Sequence, residues 1–481
     1  MGAENQKNGG YVQADLFAEH RPAGFREGRS GRVEGQAAPQ EEGQAPTARR
    51  MEPGDGDALM ERVAATPNLH RAWERVKANK GCGGVDGETV GDFAEKADTR
   101  IREIQVELAG GSYKPSKVRG VQIPKPGGGV RQLGIPTVKD RVVQQAILQV
   151  MEPEYEAGFS ESSYGFRPNR SAHDALTAGS AYVADGYGIV VDIDLEKFFD
   201  RVNHDILMGR LARRIKDRRL LKLIRLFLRS DMMQDGVCVR RETGTPQGGN
   251  LSPLLANILL DELDKELERR GHRFCRYADD CNIYVRSRQA GERVMGSVKR
   301  FIETRLKLKV NDAKSKVAPS GECKFLGYTI GAGGRLTIAK QSLENVRKSL
   351  RRMTARNRGR EVGHVVEEVN TLLRGWYNYF RLAQARGVFA KLDGWLRRKL
   401  RCCRIKQCKR RIGIARFLMA EGVKEYQAWE LAMSRKGWWR LSNTPQTNKA
   451  MGLEWFRKLG LFNLEEACRR TATPLLETAR C

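Results

Sequence analysis

Long apolar runs are missing from this sequence of 481 residues. No stretch approaches the roughly 18 consecutive apolar residues that a membrane-spanning helix needs. The first residues also lack the basic segment followed by an apolar segment that marks a secretory signal. We therefore expect a cytoplasmic protein without a membrane partner, in which the cysteines stay reduced.

Paired cysteine spacings are also missing. The ten cysteines are scattered, apart from CCRIKQC at 402–408, and no histidine follows His364. Structural zinc sites usually combine CxxC pairs, or cysteine and histidine at short spacings. The cysteines are therefore interpreted as small buried residues or surface thiols, and metal binding is the alternative.

Acidic residues are too few to balance the basic ones. The chain has 58 Asp and Glu against 86 Lys and Arg, a formal net charge of +28. The excess is concentrated after residue 330, where 33 Lys and Arg stand against 12 Asp and Glu. Like charges repel each other in a folded chain, so we expect a polyanionic partner.

One basic run, RRKLRCCRIKQCKRR at 397–411, has nine Lys and Arg in fifteen residues and no acid. Such a run predicts a nucleic-acid contact whose affinity depends strongly on salt concentration. A solvated helix face is the alternative. The predicted contacts are Arg397, Arg398, Lys399, Arg401, Arg404, Lys406, Lys409, Arg410 and Arg411.

Hydrophobic periodicity predicts alternating strands and helices in the middle of the chain. GIVVDIDL at 188–195 is typical of a strand, and the segment 204–228 predicts one helix. A helix over 251–271 should begin near Pro253 and end at Gly271. VRGVQIPKPGGGVRQLGIP at 118–136 predicts a hairpin with its bend at PGGG.

Two adjacent aspartates, Asp279 and Asp280, lie between strand-like runs in CRYADDCNIYV. Adjacent carboxylates raise each other's cost of desolvation and therefore need a cation or strong donors. The strand GIVVDIDL supplies Asp192 and Asp194. Carboxylates from two strands can hold two Mg²⁺ ions about 3.5–4 Å apart, which favours an in-line displacement at phosphorus. An aspartate-stabilised β-turn is the alternative for the DD pair taken alone.

Seven motifs follow one another in a characteristic order. They are IPKPGGGVRQLGIP (123–136), SYGFRPNRSAHDAL (163–176), VVDIDLEKFFDRVNHDIL (190–207), GTPQGGNLSPLLANILL (244–260), YADD (277–280), LKVNDAKSK (308–316) and FLGYTI (325–330). The set resembles the reverse transcriptases, and specifically the bacterial group II intron-encoded reverse transcriptase/maturases. RGWYNYFRLA (374–383) resembles the maturase helix motif of that family's thumb.

The resemblance implies an α+β fold of the right-hand polymerase type, with fingers and palm around an antiparallel sheet, then a helical thumb and a small basic C-terminal domain. It implies that Asp194, Asp279 and Asp280 hold two Mg²⁺ ions, whereas Asp192 is a bystander. Phe199, five positions after Asp194, matches the aromatic residue that disfavours ribonucleotides, with an ordinary core phenylalanine as the alternative. The other implied substrate contacts are Lys125 and Arg131 on the triphosphate, Gln247 and Gly248 on nucleotide and template, and Lys314 near the primer end or triphosphate.

The implied reaction is RNA-directed DNA synthesis, in which a primer 3′-hydroxyl attacks the α-phosphate of a dNTP and pyrophosphate leaves. The implied partners are dNTPs, an RNA template, a DNA primer or target, and the structured intron RNA, whose splicing and mobility the protein promotes. In the maturase motif, Trp376 and Phe380 are interpreted as core, and Arg374 and Arg381 as RNA contacts.

Five regions are predicted along the chain. They are a disordered leader (1–55), an N-terminal extension (56–122), fingers and palm (123–330), a thumb or maturase domain (331–400) and a basic DNA-binding region (401–481). Some family members end in an HNH endonuclease with paired cysteines. Because this chain has neither CxxC pairs nor a late histidine, we predict no endonuclease, as in the smaller group IIC-like lineage.

Two other functions remain open at this point. One is an RNA-folding cofactor with a vestigial polymerase site, which the intact Asp194, Phe199 and Asp279 argue against. The other is a domesticated relative that serves phage defence, spacer acquisition or DNA diversification, which the maturase-like motif at 374–383 disfavours.

Overall fold

The structure of this chain is a computed structural model that describes residues 58–124, 130–234, 237–239 and 242–477, with side chains up to residue 471. The described chain divides into two compact units, one ending at Cys323 and one beginning at Lys324. This division precedes the predicted domain boundary at residue 330. The predicted leader and the predicted PGGG bend lie outside the described residues.

The N-terminal unit combines strands and helices. Its strands are β1 Val118–Pro124, β2 Val130–Ile135, β3 Ile189–Ile193, β4 Met232–Gln234, β5 Val237–Val239, β6 Arg273–Tyr277, β7 Asp280–Val285 and β8 Lys316–Pro319. Its helices are α1 Leu59–Ala64, α2 Thr66–Ala78, α3 Val90–Glu95, α4 Ala97–Ala109, α5 Val138–Glu156, α6 Ala172–Ala184, α7 Phe198–Arg201, α8 His204–Arg214, α9 Arg218–Leu228, α10 Ser252–Arg269 and α11 Arg288–Phe301.

Two four-stranded sheets organise this unit. The first has the order β2-β1-β4-β5, in which β1 and β2 form the predicted antiparallel hairpin and β1 runs parallel to β4. The second has the order β6-β7-β3-β8 and is antiparallel throughout. The second sheet carries the acidic residues that the sequence singled out.

The helix predicted over 204–228 is two helices, α8 and α9. The break lies before Asp217, whose carboxylate accepts hydrogen bonds from the backbone N–H groups of Arg219 and Leu220 and so caps α9. The same carboxylate accepts a 2.9 Å bond from the backbone N–H of Met60. Capping by aspartate competes with a continuous helix, because the capping residue has non-helical backbone angles.

The C-terminal unit is mainly helical. It contains a hairpin of β9 Tyr328–Ile330 and β10 Leu336–Ile338. Its helices are α12 Lys340–Met353, α13 Val362–Phe380, α14 Arg386–Gln407, α15 Arg411–Ala420, α16 Glu425–Met433, α17 Trp438–Leu441, α18 Pro445–Ala450, α19 Leu453–Lys458 and α20 Leu464–Glu477.

Aromatic side chains fill the centre of this second unit. Trp376 and Phe380, four residues apart on α13, are 1% and 2% exposed, and their ring centroids lie 4.9 Å apart. Phe389 of α14 packs edge-on against Trp376. The interpretation of Trp376 and Phe380 as core residues is confirmed. Over the described ranges, the helices are too short or too polar for any of them to cross a bilayer.

Asp393 on α14 ties that helix to the start of α20. Its carboxylate accepts hydrogen bonds from the backbone N–H groups of Leu464 and Glu465, at 3.2 and 2.9 Å. Burial outweighs these bonds and raises the pKa of Asp393 to about 6. The folded chain therefore holds a proton here that the unfolded chain releases at lower pH.

This pKa predicts a stability change with a defined sign. As pH rises from about 4 to 7, Asp393 ionises in a buried site, so the wild-type free energy of unfolding should fall relative to Asp393→Asn by roughly 2 kcal/mol. Urea unfolding of both proteins across this range measures the difference. The exposed Glu425→Gln should show no such trend, and a constant difference between wild type and Asp393→Asn would contradict the assignment.

Candidate active site

The register of the second sheet brings the predicted acids to one end of it. β3 pairs with β7 from Ile189–Val285 to Ile193–Cys281. Asp194 directly follows the last paired residue of β3, and Asp280 directly precedes the last paired residue of β7, so both lie at the same end of the sheet. Asp192, two positions earlier on β3, lies opposite Asn282 and, on the other side, Lys316.

Asp279 lies in the turn between β6 and β7. Tyr277 pairs with Asp280, which leaves only Ala278 and Asp279 in the loop of the hairpin. Ala278 has a φ of +58°, the left-handed conformation that tight hairpin turns require. Asp279 and Asp280 are both half-buried. The turn therefore presents two carboxylates beside the end of β3.

One buried arginine holds this turn. The guanidinium of Arg276 is bonded to both carboxylate oxygens of Asp264, at 2.7 and 2.6 Å, and donates to the carbonyl oxygen of Ala278 at 2.9 Å. It also donates to Asn257 Oδ1 at 3.0 Å and to Ser163 Oγ at 2.7 Å. All five N–H donors of the side chain are thereby used.

Gly165 lets the neighbouring loop approach the turn. A Cβ atom at this position would meet the backbone of Tyr277, 2.9 Å from its carbonyl carbon, and the backbone nitrogen of Ala278. The carbonyl oxygen of Gly165 accepts a 2.9 Å bond from Asn257 Nδ2. The loop that contains SYGFRP thus packs closely against the backbone of the DD turn.

The segment 311–315 surrounds Asp194. Asn311 Nδ2 donates to Asp194 Oδ2 at 3.2 Å, and Lys314 Nζ lies 3.1 Å from the same oxygen. The backbone N–H of Asp194 donates to Ser315 Oγ at 3.0 Å. Lys314 is 69% exposed, so this ion pair is open to solvent. The structure therefore places one predicted site residue, Lys314, directly on another, Asp194.

Asp192 differs from Asp194 in its surroundings. Burial is the main reason that the pKa of Asp192 is raised to about 6, the Asp194 charge adds to this effect, and Lys316 opposes it. Asp192 lies between Asn282 and Lys316 in the sheet, two positions before Asp194. The bystander role that the family resemblance implies for Asp192 stays a prediction.

The PQGG loop joins Phe199 to strand β2 through backbone groups. The backbone N–H of Thr245 donates to the carbonyl oxygen of Phe199 at 2.7 Å. The backbone N–H of Gly134 on β2 donates to the carbonyl oxygen of Gln247 at 2.8 Å. Gly248 has a φ of +120°, and a Cβ there would lie 2.9 Å from the Gly134 carbonyl oxygen. Three predicted substrate residues, Phe199, Gln247 and Gly248, are thus parts of one bonded assembly.

Two predicted triphosphate contacts have different outcomes. Arg131 is an exposed residue of β2, opposite Ile123 and one position from the pair Pro124–Val130, the last pair before the predicted bend. Lys125 lies outside the described residues. Within the described ranges, no three His, Cys, Asp or Glu side chains converge as a metal cluster, so the joint site of Asp194, Asp279 and Asp280 stays a prediction.

Comparisons with known proteins assign most of the described chain to known families. Residues 123–330 match the family model described as reverse transcriptase (RNA-dependent DNA polymerase), and residues 343–418 match the group II intron maturase-specific domain. Protein YkfC of Escherichia coli (strain K12) is 33% identical over 286 residues, which cover 51% of this chain and 75% of that protein. The chain belongs to the group II intron-encoded reverse transcriptases.

A second relative is the group II intron-encoded protein LtrA of Lactococcus lactis subsp. cremoris. It is 30% identical over 333 residues, and the match covers 54% of this chain and 54% of that protein. The chain therefore spans about half the length of LtrA. A chain of a partial Cas6-RT-Cas1--Cas2 complex is 26% identical, with coverage of 51% and 42% and a TM-score of 0.34.

The α+β fold and the activity class follow from membership of this family. The enzyme is an RNA-directed DNA polymerase, and reverse transcriptases use divalent metal ions. The maturase-specific match extends from α12 into α15 and includes the whole basic run at 397–411. RNA binding by the C-terminal unit is consistent with that match.

Several cations of the basic run contact the C-terminal unit itself. The Arg398 guanidinium lies 4.0 Å from the centroid of the Trp439 ring, and that of Arg404 lies 4.2 Å from the centroid of Phe417. Arg401 Nε donates to the carbonyl oxygen of Met451 at 2.9 Å, and burial lowers the pKa of Arg401 to about 10. The exposed members of the run are Lys406, Lys409, Arg410 and Arg411.

Arg374 and Arg381, the two predicted RNA contacts of the maturase motif, are exposed in this reverse transcriptase. Arg374 also lies 5.5 Å from the centroid of the Phe462 ring. Their role as RNA contacts stays a prediction, and their exposure is compatible with it.

Sequence reasoning missed the residues that position the site. Asn311 and Ser315 hold Asp194, Arg276 holds the DD turn, and His204 Nε2 lies 2.7 Å from the carbonyl oxygen of Gly244 at the start of the PQGG loop. Each of these residues lies within or beside a quoted motif. Their position in or next to these motifs was the available signal.

The Arg276 network predicts separate effects on stability and catalysis. Arg276→Met leaves Asp264 buried without its partner, so the free energy of unfolding should fall by about 3–5 kcal/mol. The double variant Arg276→Met/Asp264→Leu should recover much of that loss but synthesise DNA poorly, because the Ala278 carbonyl still lacks its donor. Urea unfolding and primer extension measure the two effects.

The matched control is Arg288→Met, which removes an ion pair to Glu292 in which the two side chains are 72% and 60% exposed. The resulting fall in stability should be below about 1 kcal/mol. Full DNA synthesis by the double variant would show that Arg276 stabilises the fold without positioning the turn.

Proposed function

We propose that DNA synthesis takes place where β3 ends beside the β6–β7 turn, with Asp194, Asp279 and Asp280 as the carboxylates of the reaction centre. The observation that supports this proposal most is the antiparallel register of β3 and β7, which ends at Ile193–Cys281, next to Asp194 and Asp280. Acids from sequence positions 85 or more residues apart thereby share one edge of a sheet. Carboxylates at one edge of a sheet repel each other, which costs free energy. A reaction that requires bound cations would account for this arrangement.

The donor set suits magnesium. All three side chains are carboxylates, which Mg²⁺ prefers, and substrate phosphates supply further oxygen ligands. Lys314 Nζ lies 3.1 Å from Asp194 Oδ2, so this carboxylate has one positive neighbour in the absence of substrate. When bound, a pair of Mg²⁺ ions would supply acidity to the primer 3′-hydroxyl and neutralise charge on the leaving pyrophosphate.

The protein's own groups orient the reactants. The primer 3′-hydroxyl attacks the α-phosphorus of a dNTP, the bond to the β-phosphate oxygen breaks, and pyrophosphate leaves. Arg131 and Lys125 oppose the negative triphosphate. Lys314 has an exposed and flexible side chain, so its ammonium group can exchange its Asp194 partner for a substrate phosphate. Gln247 and Gly248 line the nucleotide and template.

Phe199 is proposed to select deoxynucleotides. Its backbone is held by Thr245, and its ring packs edge-on against Phe198 at a centroid distance of 5.1 Å. Phe198 is buried in the core, whereas Phe199 is only partly buried. This pair fixes the Phe199 ring, and a fixed flat ring under the sugar would collide with a 2′-hydroxyl group.

The C-terminal unit is proposed to bind the structured intron RNA and to promote its splicing and mobility, in the cytoplasm. The maturase-specific match and the excess of basic residues support this role. The same match disfavours a domesticated reverse transcriptase with no intron. A cofactor with a vestigial polymerase site is disfavoured because the supports of Asp194 and of the DD turn are all present.

Primer extension tests the proposed reaction centre. Asp279→Ala should lower dNTP incorporation on an RNA template by more than about a hundredfold, because a charged group at the reacting phosphate is removed. Asp192→Asn, the matched control on the same sheet, should keep most of the activity. Primer extension with Mg²⁺ measures both, and filter binding should show unchanged RNA affinity. Equal activity losses in the two variants would contradict the assignment of Asp192 as a bystander.

A salt titration separates the exposed cations of the basic run from the cations that stabilise the C-terminal unit. Replacing the exposed Lys406, Lys409, Arg410 and Arg411 by Ala should reduce the slope of log affinity against log salt concentration by up to roughly 0.7 for each phosphate that is no longer neutralised. Arg401→Ala should instead lower stability, because Arg401 bonds the Met451 carbonyl. Titration with intron RNA at several salt concentrations measures the slope. An unchanged slope in the quadruple variant would assign this run to a solvated helix face.

A further inference from the structure

A pocket in the C-terminal unit lies among the end of α12, the middle of α14 and the short helix α17. Its volume is about 180 Å³, and it is lined by Thr354, Arg356, Lys399, Cys402 and Trp439. One water molecule needs about 10–15 Å³ on this measure, so the pocket has room for on the order of ten waters. It is therefore large enough for a planar ring.

The lining carries positive charge and no acid. Arg356 and Lys399 supply two cations, and none of the five lining residues is Asp or Glu. Cys402 is 2% exposed, and burial raises the pKa of its thiol, which therefore stays neutral. Thr354 adds a hydroxyl that is already bonded to the carbonyl oxygen of Leu350 at 2.7 Å. An anionic group is the ligand that this charge favours.

The aromatic wall of the pocket is fixed. Trp439 is 40% exposed, and its carbonyl oxygen accepts a 3.0 Å bond from Arg398, whose guanidinium also covers the ring at 4.0 Å. Lys399 Nζ lies between two indoles, 5.9 Å from the centroid of Trp395 and 5.8 Å from that of Trp439. The Arg398 Nε atom is buried and has no hydrogen-bond partner within the described ranges. Arg398 and Lys399 thus both contact the ring of Trp439.

We propose that this pocket takes a single unpaired nucleotide of the bound RNA, with its base against Trp439 and its phosphate on Arg356 and Lys399. The proposal rests on the RNA-binding function proposed above and specifies what kind of RNA the unit recognises. Bases that are not stacked in a helix are available to aromatic side chains, and each such stack contributes appreciably whatever the base. A phosphate paired with two cations supplies the electrostatic part.

Two other ligands fit less well. A continuous RNA duplex presents phosphates but keeps its bases stacked, so it would leave the Trp439 wall unused. A free inorganic phosphate would likewise contact only the cations. The joint presence of a flat aromatic wall and two cations in one pocket matches a nucleotide, which combines a flat base with an anion.

The first test compares three RNAs with the same wild-type protein. Full-length protein is titrated with three RNA duplexes: one fully paired, one with a single bulged uridine, and one in which the bulge is abasic and so keeps its phosphate. Wild-type protein should bind the uridine bulge roughly five- to a hundredfold more tightly than the abasic bulge. Equal affinities for these two RNAs would overturn the proposal, and so would equal affinity for the paired duplex.

Protein variants then locate the effect. Trp439→Leu should abolish the preference for the uridine bulge over the abasic bulge, and Trp439→Phe should keep part of it. Arg356→Ala should weaken binding of both bulged RNAs and lower the salt slope by about one phosphate contact. Tyr426→Leu is the matched control, because Tyr426 is an aromatic residue of the same unit that is 66% exposed and does not line the pocket. Retention of the base preference in Trp439→Leu would refute the proposal.

Failure of this inference is distinguishable from failure of the proposed function. A protein that binds RNA with strong salt dependence but no base preference lacks the nucleotide pocket and still has an RNA-binding unit. A protein that binds none of the three RNAs lacks the RNA-binding function itself. Crosslinking of a bulged 4-thiouridine, followed by peptide mapping, should identify Trp439 in wild-type protein, and a crosslink confined to other residues would count against the pocket.

Discussion

The bond network of Arg276 is the constraint on which the candidate active site depends. A buried ion pair adds little net stability, because the loss of hydration offsets the attraction between its charges. Its effect here is geometric: a planar guanidinium with five fixed donors can satisfy them all only when Asp264, Asn257, Ser163 and the Ala278 carbonyl occupy one arrangement. The last of these groups belongs to the turn that carries Asp279. The position of the turn is therefore set by α10 and by the 163 loop, outside the hairpin itself.

A second set of contacts connects the residues that are proposed to bind the nucleotide. The PQGG loop is bonded through its backbone to Phe199 on one side and to Gly134 on the other, and His204 contacts the Gly244 carbonyl at its start. Backbone bonds of this kind tolerate changes of side chain but require close approach, which explains the glycines at 244 and 248: a Cβ at Gly244 would lie 2.7 Å from the Phe199 carbonyl oxygen. Phe199 and the β2 strand that carries Arg131 are thus held by one loop.

Sequence reasoning predicted the strand ending at Asp194, the hairpin around Asp279 and the core role of Trp376, because each depends on local periodicity or on turn chemistry. It wrongly predicted a single helix over 204–228, since the capping of α9 by Asp217 interrupts an otherwise continuous apolar pattern. It did not find Arg276, whose partners lie 12, 19 and 113 residues away, because no local pattern reports which distant groups will surround a buried cation. The residues that do chemistry are visible in motifs, whereas the residues that position them depend on the fold.

The basic C-terminal unit shows why a count of charges overstates a nucleic-acid surface. Arg398, Arg401 and Arg404 belong to the most basic stretch of the chain, yet each contacts an aromatic ring or a carbonyl oxygen of its own unit. A cation used in this way is already partly dehydrated and held, so it displaces fewer counterions when RNA binds. The same contacts fix the Trp439 side chain that lines the pocket beside Lys399. Part of the positive charge therefore stabilises the C-terminal unit, and only the remainder is available to a polyanionic partner, so the net charge overstates the electrostatic contribution to binding.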